Sequence, residues 1–228
     1  MRHDYLRALV WLTAVQAVVT LLAGLNLVVP VTAAWTGWGP FVRWREMFSL
    51  LFITPASGGL MVMAMWVLER GRDDAGAPFF CLAFTICLVA VSMGVHEPIN
   101  QLHRAGTGRL GQSLFFWDEV FSHAVFFTGY AGVSMALIWS QVRNPLPRPM
   151  GPAATLVFLA CGIISGAGIF FSLVRAPGIR VDLAVIAAVV VLAEVLRWGR
   201  PFRVVPLSIA LETSYVLALG GLLLREAR

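Results

Sequence analysis

The sequence predicts an all-α fold, a polytopic transmembrane helix bundle of about seven spans. Three observations predict it. Hydrophobic residues make up 59% of the 228 positions, and the mean hydropathy is +0.81. Only 13% of residues are charged, too few to cover the surface of a soluble domain of this size. Apolar runs long enough to cross a bilayer recur along the whole chain.

A span needs ~20 apolar residues at ~1.5 Å rise each. The first, Leu6–Val29, is long enough to cross, so it reads as a helix rather than a cleaved leader. The connection Pro30–Arg45 holds Trp35, Trp38 and Trp44 and reads as a half-helix lying flat at the interface. Phe48–Leu68 is the second span and Pro78–His96 the third, with the charged turn Glu69–Asp74 between them. Asn100–Ser113, with Gly106, Gly108 and Gly111, reads as a mobile loop. Leu114–Ser140 is the longest span. The prolines at 145, 147 and 149 end it. Ala153–Val174, the short Val181–Leu196 and Val204–Leu224 complete the set, separated by Pro and Gly stops at 175–178 and 199–201. Trp44, Trp66, Trp117, Trp139 and Trp198 fall near span ends, as an aromatic belt requires. No internal repeat is visible, and residues 1–228 read as a single integral membrane domain. The expected location is a bacterial or archaeal cytoplasmic membrane. Nine Arg fall on the N-terminal side and eight on the other, which orients the N-terminus inward.

All 17 basic residues are Arg. Without Lys there is no Schiff base, which excludes a retinal protein. The Arg are scattered over short loops, where lipid headgroups account for them, and form no basic face for nucleic acid. Cys81, Cys87 and Cys161 lie in apolar runs with no Cys-x-x-Cys, and read as small buried hydrophobes. There is no His-Glu-x-x-His, no Gly-rich phosphate loop, and no His after position 123 to serve a rhomboid-type serine nucleophile.

Ionisable groups inside a bilayer cost several kcal/mol unless paired, so they mark function by default. Here they concentrate. The third span ends in Ser92, His96, Glu97, Asn100 and His103, and the fourth opens with Asp118, Glu119, Ser122 and His123. Three of the four histidines fall in this stretch. Ser92, His96, Asn100 and His103 share one helix face, as do Glu119 and His123, while Asp118 and Ser122 form the adjacent row. Counting back from the joining loop puts His96 and His123 both ~10–15 Å below one interface, so they can face each other. Imidazole and carboxylate from facing helices form a metal-binding set for zinc, copper or iron. The alternatives are a proton path and a polar network that only locks two helices together. Two facing imidazoles also suit a haem. Glu212, deep in the last span, either completes the site or bonds Thr or Ser nearby. Asp182 and Glu194 read as interfacial ion pairs with Arg180 and Arg197.

Residues 41–147, under half the chain, resemble the copper membrane monooxygenases, which oxidise methane, ammonia or short alkanes, in one of their membrane-embedded helical subunits. In that family a span ends in Glu-x-Asp-x-x-x-His, and after a loop Asp-x-x-x-Ser-His opens the next. This chain has Glu97-x5-His103, then Asp118-x3-Ser122-His123 followed by Phe126 and Phe127. The resemblance implies copper held by His103 and His123, partner membrane subunits, and a small apolar substrate arriving from the bilayer. The family's Asp falls at Ile99 here, so Glu97, Asn100, Asp118 or His96 would supply the remaining ligand. Ser92-x3-His96 followed by Asp118-Glu119 is similar to seven-helix membrane hydrolases, the alkaline ceramidases and adiponectin receptors. That resemblance implies zinc on His96 and His123, a lipid substrate, and Asp118 or Glu119 as general base. A third expectation involves no enzyme: a proton-coupled transporter or assembly protein with Asp118, Glu119 and Glu212 as a relay.

Overall fold

The structure is a computed structural model that describes residues 2–37, 43–174 and 179–226, except the side chains of 2–4, 101, 103–105 and 179–182. Seven long helices carry the fold: α1 (Arg2–Val28), α2 (Trp44–Glu69), α3 (Gly76–Ala105), α4 (Gly108–Arg143), α5 (Pro152–Leu173), α6 (Ile179–Arg197) and α7 (Pro206–Glu226). No β-strand occurs among the described residues. Six helices, all but α6, are long and apolar enough to cross a membrane, so the chain is an integral membrane helical bundle. The sixth expected span is present as the 19-residue α6.

Two expectations about the connections change. The mobile loop expected over 100–113 shrinks to Gly106 and Thr107, because α3 continues past Pro98 to Ala105 and α4 starts at Gly108. Pro98 removes one backbone hydrogen bond, which neighbouring packing in a membrane tolerates, and Gly108 turns the chain at φ 57°. The expected interfacial half-helix over 30–45 is instead a short 3₁₀ turn, Pro30–Ala33, with α2 beginning at Trp44; residues 38–42 lie outside the described ones.

α2 and α4 are not uniform. Each is interrupted by a π-helical turn, Ser49–Ile53 in α2 and Phe116–Ser122 in α4. Such turns recur at functional sites.

Packing proceeds from α1 onto α5, α5 onto α7, and α3 onto α4. Without water to drive helices together, close van der Waals approach does so. At the α1–α5 crossing a Cβ on Gly24 would fall 2.2 Å from the Gly168 carbonyl oxygen, and one on Gly168 only 2.3 Å from that of Thr20. The backbones themselves are in contact. One apolar cluster centres on Leu9, Met65, Leu82 and Phe158, near the end where α1 begins; another centres on Ile169, Val189, Tyr215 and Leu222.

Ser140 donates a 2.6 Å hydrogen bond to buried Glu69, tying α4 to the end of α2. Beyond the helix ends, Asp74 receives Arg72 at 2.8 Å and Arg143 at 2.5 Å. The hydrogen bond from Arg72 holds the Asp74 carboxyl down to about 2, from an ordinary 3.8. A depressed carboxyl stabilises the fold above its unfolded value and loses that contribution as pH falls through its folded one. This loop is therefore expected to loosen between pH 3.8 and about 2, a small effect at an exposed site. Comparing thermal melting of Asp74→Asn with the parent across that window checks it: the difference should vanish at the acid end.

The cysteines correct another expectation. Cys161 is buried, but Cys81 and Cys87 are exposed on the outer face of α3. In a bilayer the outer face is as apolar as the core, so a hydrophobic run does not imply burial.

Candidate functional site

The π-helical turn of α4 assembles the site. In an α-helix two positions five apart point about 140° away from each other. The wider turn over 116–122 brings Asp118 and His123 back to one face, and that face meets α3. Nδ1 of His96 lies 2.7 Å from Oδ1 of Asp118, which is fully buried. The carboxylate oxygen sits off the direction of the ring N–H, so the contact has the distance of a hydrogen bond but not its alignment. The His96 and His123 rings stand 5.2 Å apart, centre to centre, tilted by 44°. Nδ1 of His123 is 3.8 Å from Glu119 on the same helix. Ser92, one turn before His96, donates a 2.7 Å hydrogen bond to the Ser122 carbonyl, and Ser122 donates to that of Asp118. These two bonds pin the π turn against α3.

Each imidazole thus has a carboxylate on its Nδ1 side, at 2.7 Å for His96 and at 3.8 Å, beyond hydrogen-bond reach, for His123. A ring that gives Nδ1–H to a carboxylate presents Nε2 as the atom free to take a proton or a metal. The side chains of His96 and His123 are 24% and 35% exposed, against none for Asp118, so the ring edges, not the carboxylate, are within reach of a small molecule.

The other sequence-predicted residues divide. Glu97 is buried on the side of α3 that faces Ser49, Arg45 and Glu46 of α2. Ser49 in turn accepts from Asn26 at 3.1 Å, and Asn26 donates to the Arg45 carbonyl at 2.9 Å. Arg43 and Arg45 both bond Glu46 in this second buried cluster. Asn100 is half-buried one turn beyond His96. The His103 side chain lies outside the described residues, as does that of Asp182. Glu212 does not complete the site. It lies at the opposite end of the bundle, 3.5 Å from Arg197, where the segment 144–150 bonds the residues before α7. Asp118 and Glu119 stand toward one end of the bundle and Glu212 toward the other, beside Arg197. Glu194 does pair with Arg197 as expected.

Sequence reasoning missed Glu46 and Ser49, which lie just inside α2, and the shared face of Asp118 and His123, five positions apart. The only available signal for the latter was two polar rows side by side on a helix too long for one crossing.

Comparison with protein-family models, with curated proteins and with solved structures finds no match. Fold and site therefore define a class: a polytopic α-helical integral membrane protein with a buried histidine–carboxylate cluster near one end.

Proposed function

We propose that this chain is a membrane-embedded, zinc-dependent hydrolase whose metal is held by His96 and His123. The observation that carries the reading is the facing pair of rings, 5.2 Å apart. Two imidazoles on one tetrahedral ion, with Zn–N bonds of ~2.0–2.1 Å, have their centres about 5 Å apart. Carboxylates at Nδ1 are the usual outer partners of metal-bound histidines. Among the described residues no group of three or more His, Cys, Asp or Glu is disposed to hold a metal. A catalytic zinc takes three protein ligands and a water, so the two rings supply two of the three that the reading requires.

Bound zinc would supply a water acidic enough to act as nucleophile near neutrality. The chain's own groups do the rest. Asp118, its Oδ1 2.7 Å from Nδ1 of His96, would hold a negative charge beside that ring and favour its binding a cation. Glu119, 3.8 Å from Nδ1 of His123, would steady that ring from the side away from the metal. The apolar surroundings keep both carboxylates close to their rings and strengthen those contacts.

Copper on the same two residues is the second reading, favoured by the motif Asp118-x3-Ser122-His123. His103, the ligand implied by the monooxygenase resemblance, lies seven residues past His96, about 10 Å further along α3, so His96 is the better partner for His123. Elemental analysis of the purified protein separates these readings. About one zinc per chain supports the hydrolase, and copper supports the second reading. Neither metal above background, with melting unchanged in chelator, overturns both.

A further inference from the structure

A groove of about 320 Å³ runs between α2 and α3, on the bilayer-facing side of the bundle. Leu50, Thr54, Gly58 and Val62 line it along α2, and Ile86, Ala90 and Met93 along α3. Both sets follow helical spacing, so each is one stripe. From Leu50 to Val62 the groove extends about 18 Å. Its apolar part lies at mid-span, with Gly59, Val62 and Ala90 exposed along its length.

One end is not apolar. The α3 stripe continues from Met93 to buried Glu97, and Leu50 is preceded by Ser49, which accepts a hydrogen bond from Asn26. Just beyond, Arg45 stands beside Glu46 at 3.2 Å, next to the half-exposed Trp44 at the start of α2. The groove thus runs from a dry middle to a polar, arginine-bearing end at the level of the interface.

We propose that this groove holds one acyl chain of an anionic glycerophospholipid, with its phosphate toward Arg45. At mid-span the available solvent is acyl chain. Arginine near the interface complements a phosphate. The two helices meet at Gly58, where a Cβ would lie 3.5 Å from Ile86, which closes the floor of the groove. The proposal is independent of what His96 and His123 bind.

Gly59 provides the test. A Cβ there meets nothing within 4 Å, and the same holds for exposed Gly220 on α7. Leucine at either position is compatible with the fold, but only Gly59→Leu fills the groove. The protein is reconstituted in vesicles of phosphatidylglycerol carrying a photoactivatable diazirine in one acyl chain, and cross-linked residues are mapped by mass spectrometry. Labelling is expected to concentrate on Val62, Ile86, Ala90 and Met93 relative to the exposed face around Trp11. Leucine at 59 fills the space the chain would take, so Gly59→Leu should cut this labelling to the level seen around Trp11, while Gly220→Leu leaves it unchanged. Uniform labelling of all outer faces overturns the proposal, as does equal labelling in Gly59→Leu. A change of oligomeric state in Gly59→Leu without a change in labelling overturns it in favour of a partner helix. Val62→Trp, which fills the groove from the same helix, must reproduce the loss, with melting temperatures confirming that each variant is folded.

Discussion

His123→Ala is expected to reduce the metal content of the purified protein to background while the bundle stays folded. The His123 side chain is about one-third exposed, and its neighbours are the rings of His96 and Phe127 and the carboxylate of Glu119. Removing it leaves no buried backbone group unpaired, so the stability cost should stay near the ordinary ~1 kcal/mol. Loss of one of two histidine ligands leaves the metal on a single imidazole. Asp118→Asn sharpens the prediction. The amide keeps the shape at this fully buried position but removes the negative charge beside His96 Nδ1, so metal affinity should fall by about 10- to 100-fold. If the cluster only joins α3 to α4, both variants lose some stability and neither changes metal content.

Gly168→Leu is expected to have the largest effect on folding. Its Cβ would fall 2.3 Å from the Thr20 carbonyl oxygen and 2.8 Å from the Leu21 Cα, both backbone atoms. No rotamer change relieves that overlap, so α1 must move off α5. Overpacking a tight interface costs ~1–3 kcal/mol even where side chains can adjust; with backbone on both sides the cost exceeds that range. Since α1 packs chiefly on α5, loss of monodisperse protein in mild detergent is the expected outcome. Gly59→Leu, with open space around its Cβ, should purify normally. A well-folded Gly168→Leu would mean that α1 and α5 do not cross backbone to backbone.

The bundle was legible in the sequence because a span is a property of length and hydropathy, which composition carries directly. The approach of His96 to His123 was legible too, since both lie at a countable depth from one turn. What was hidden depended on departures from regular geometry. The π turn over 116–122 joins Asp118 and His123, which a 3.6-residue period separates. The continuation of α3 through Pro98 contradicts a rule learned from water-exposed helices. The burial of Glu69 depends on Ser140, 71 positions away, and looked like part of a charged turn. Glu212 could not be assigned to an end of the site without knowing which helix ends meet.

Whether His96 and His123 share one metal ion is decided by X-ray absorption at the metal edge of the purified protein. A first shell at ~2.0–2.1 Å is expected, with the multiple-scattering signature of two imidazoles, reduced to one or lost in His123→Ala. No edge above background, or a shell unchanged by His123→Ala, contradicts a shared ion.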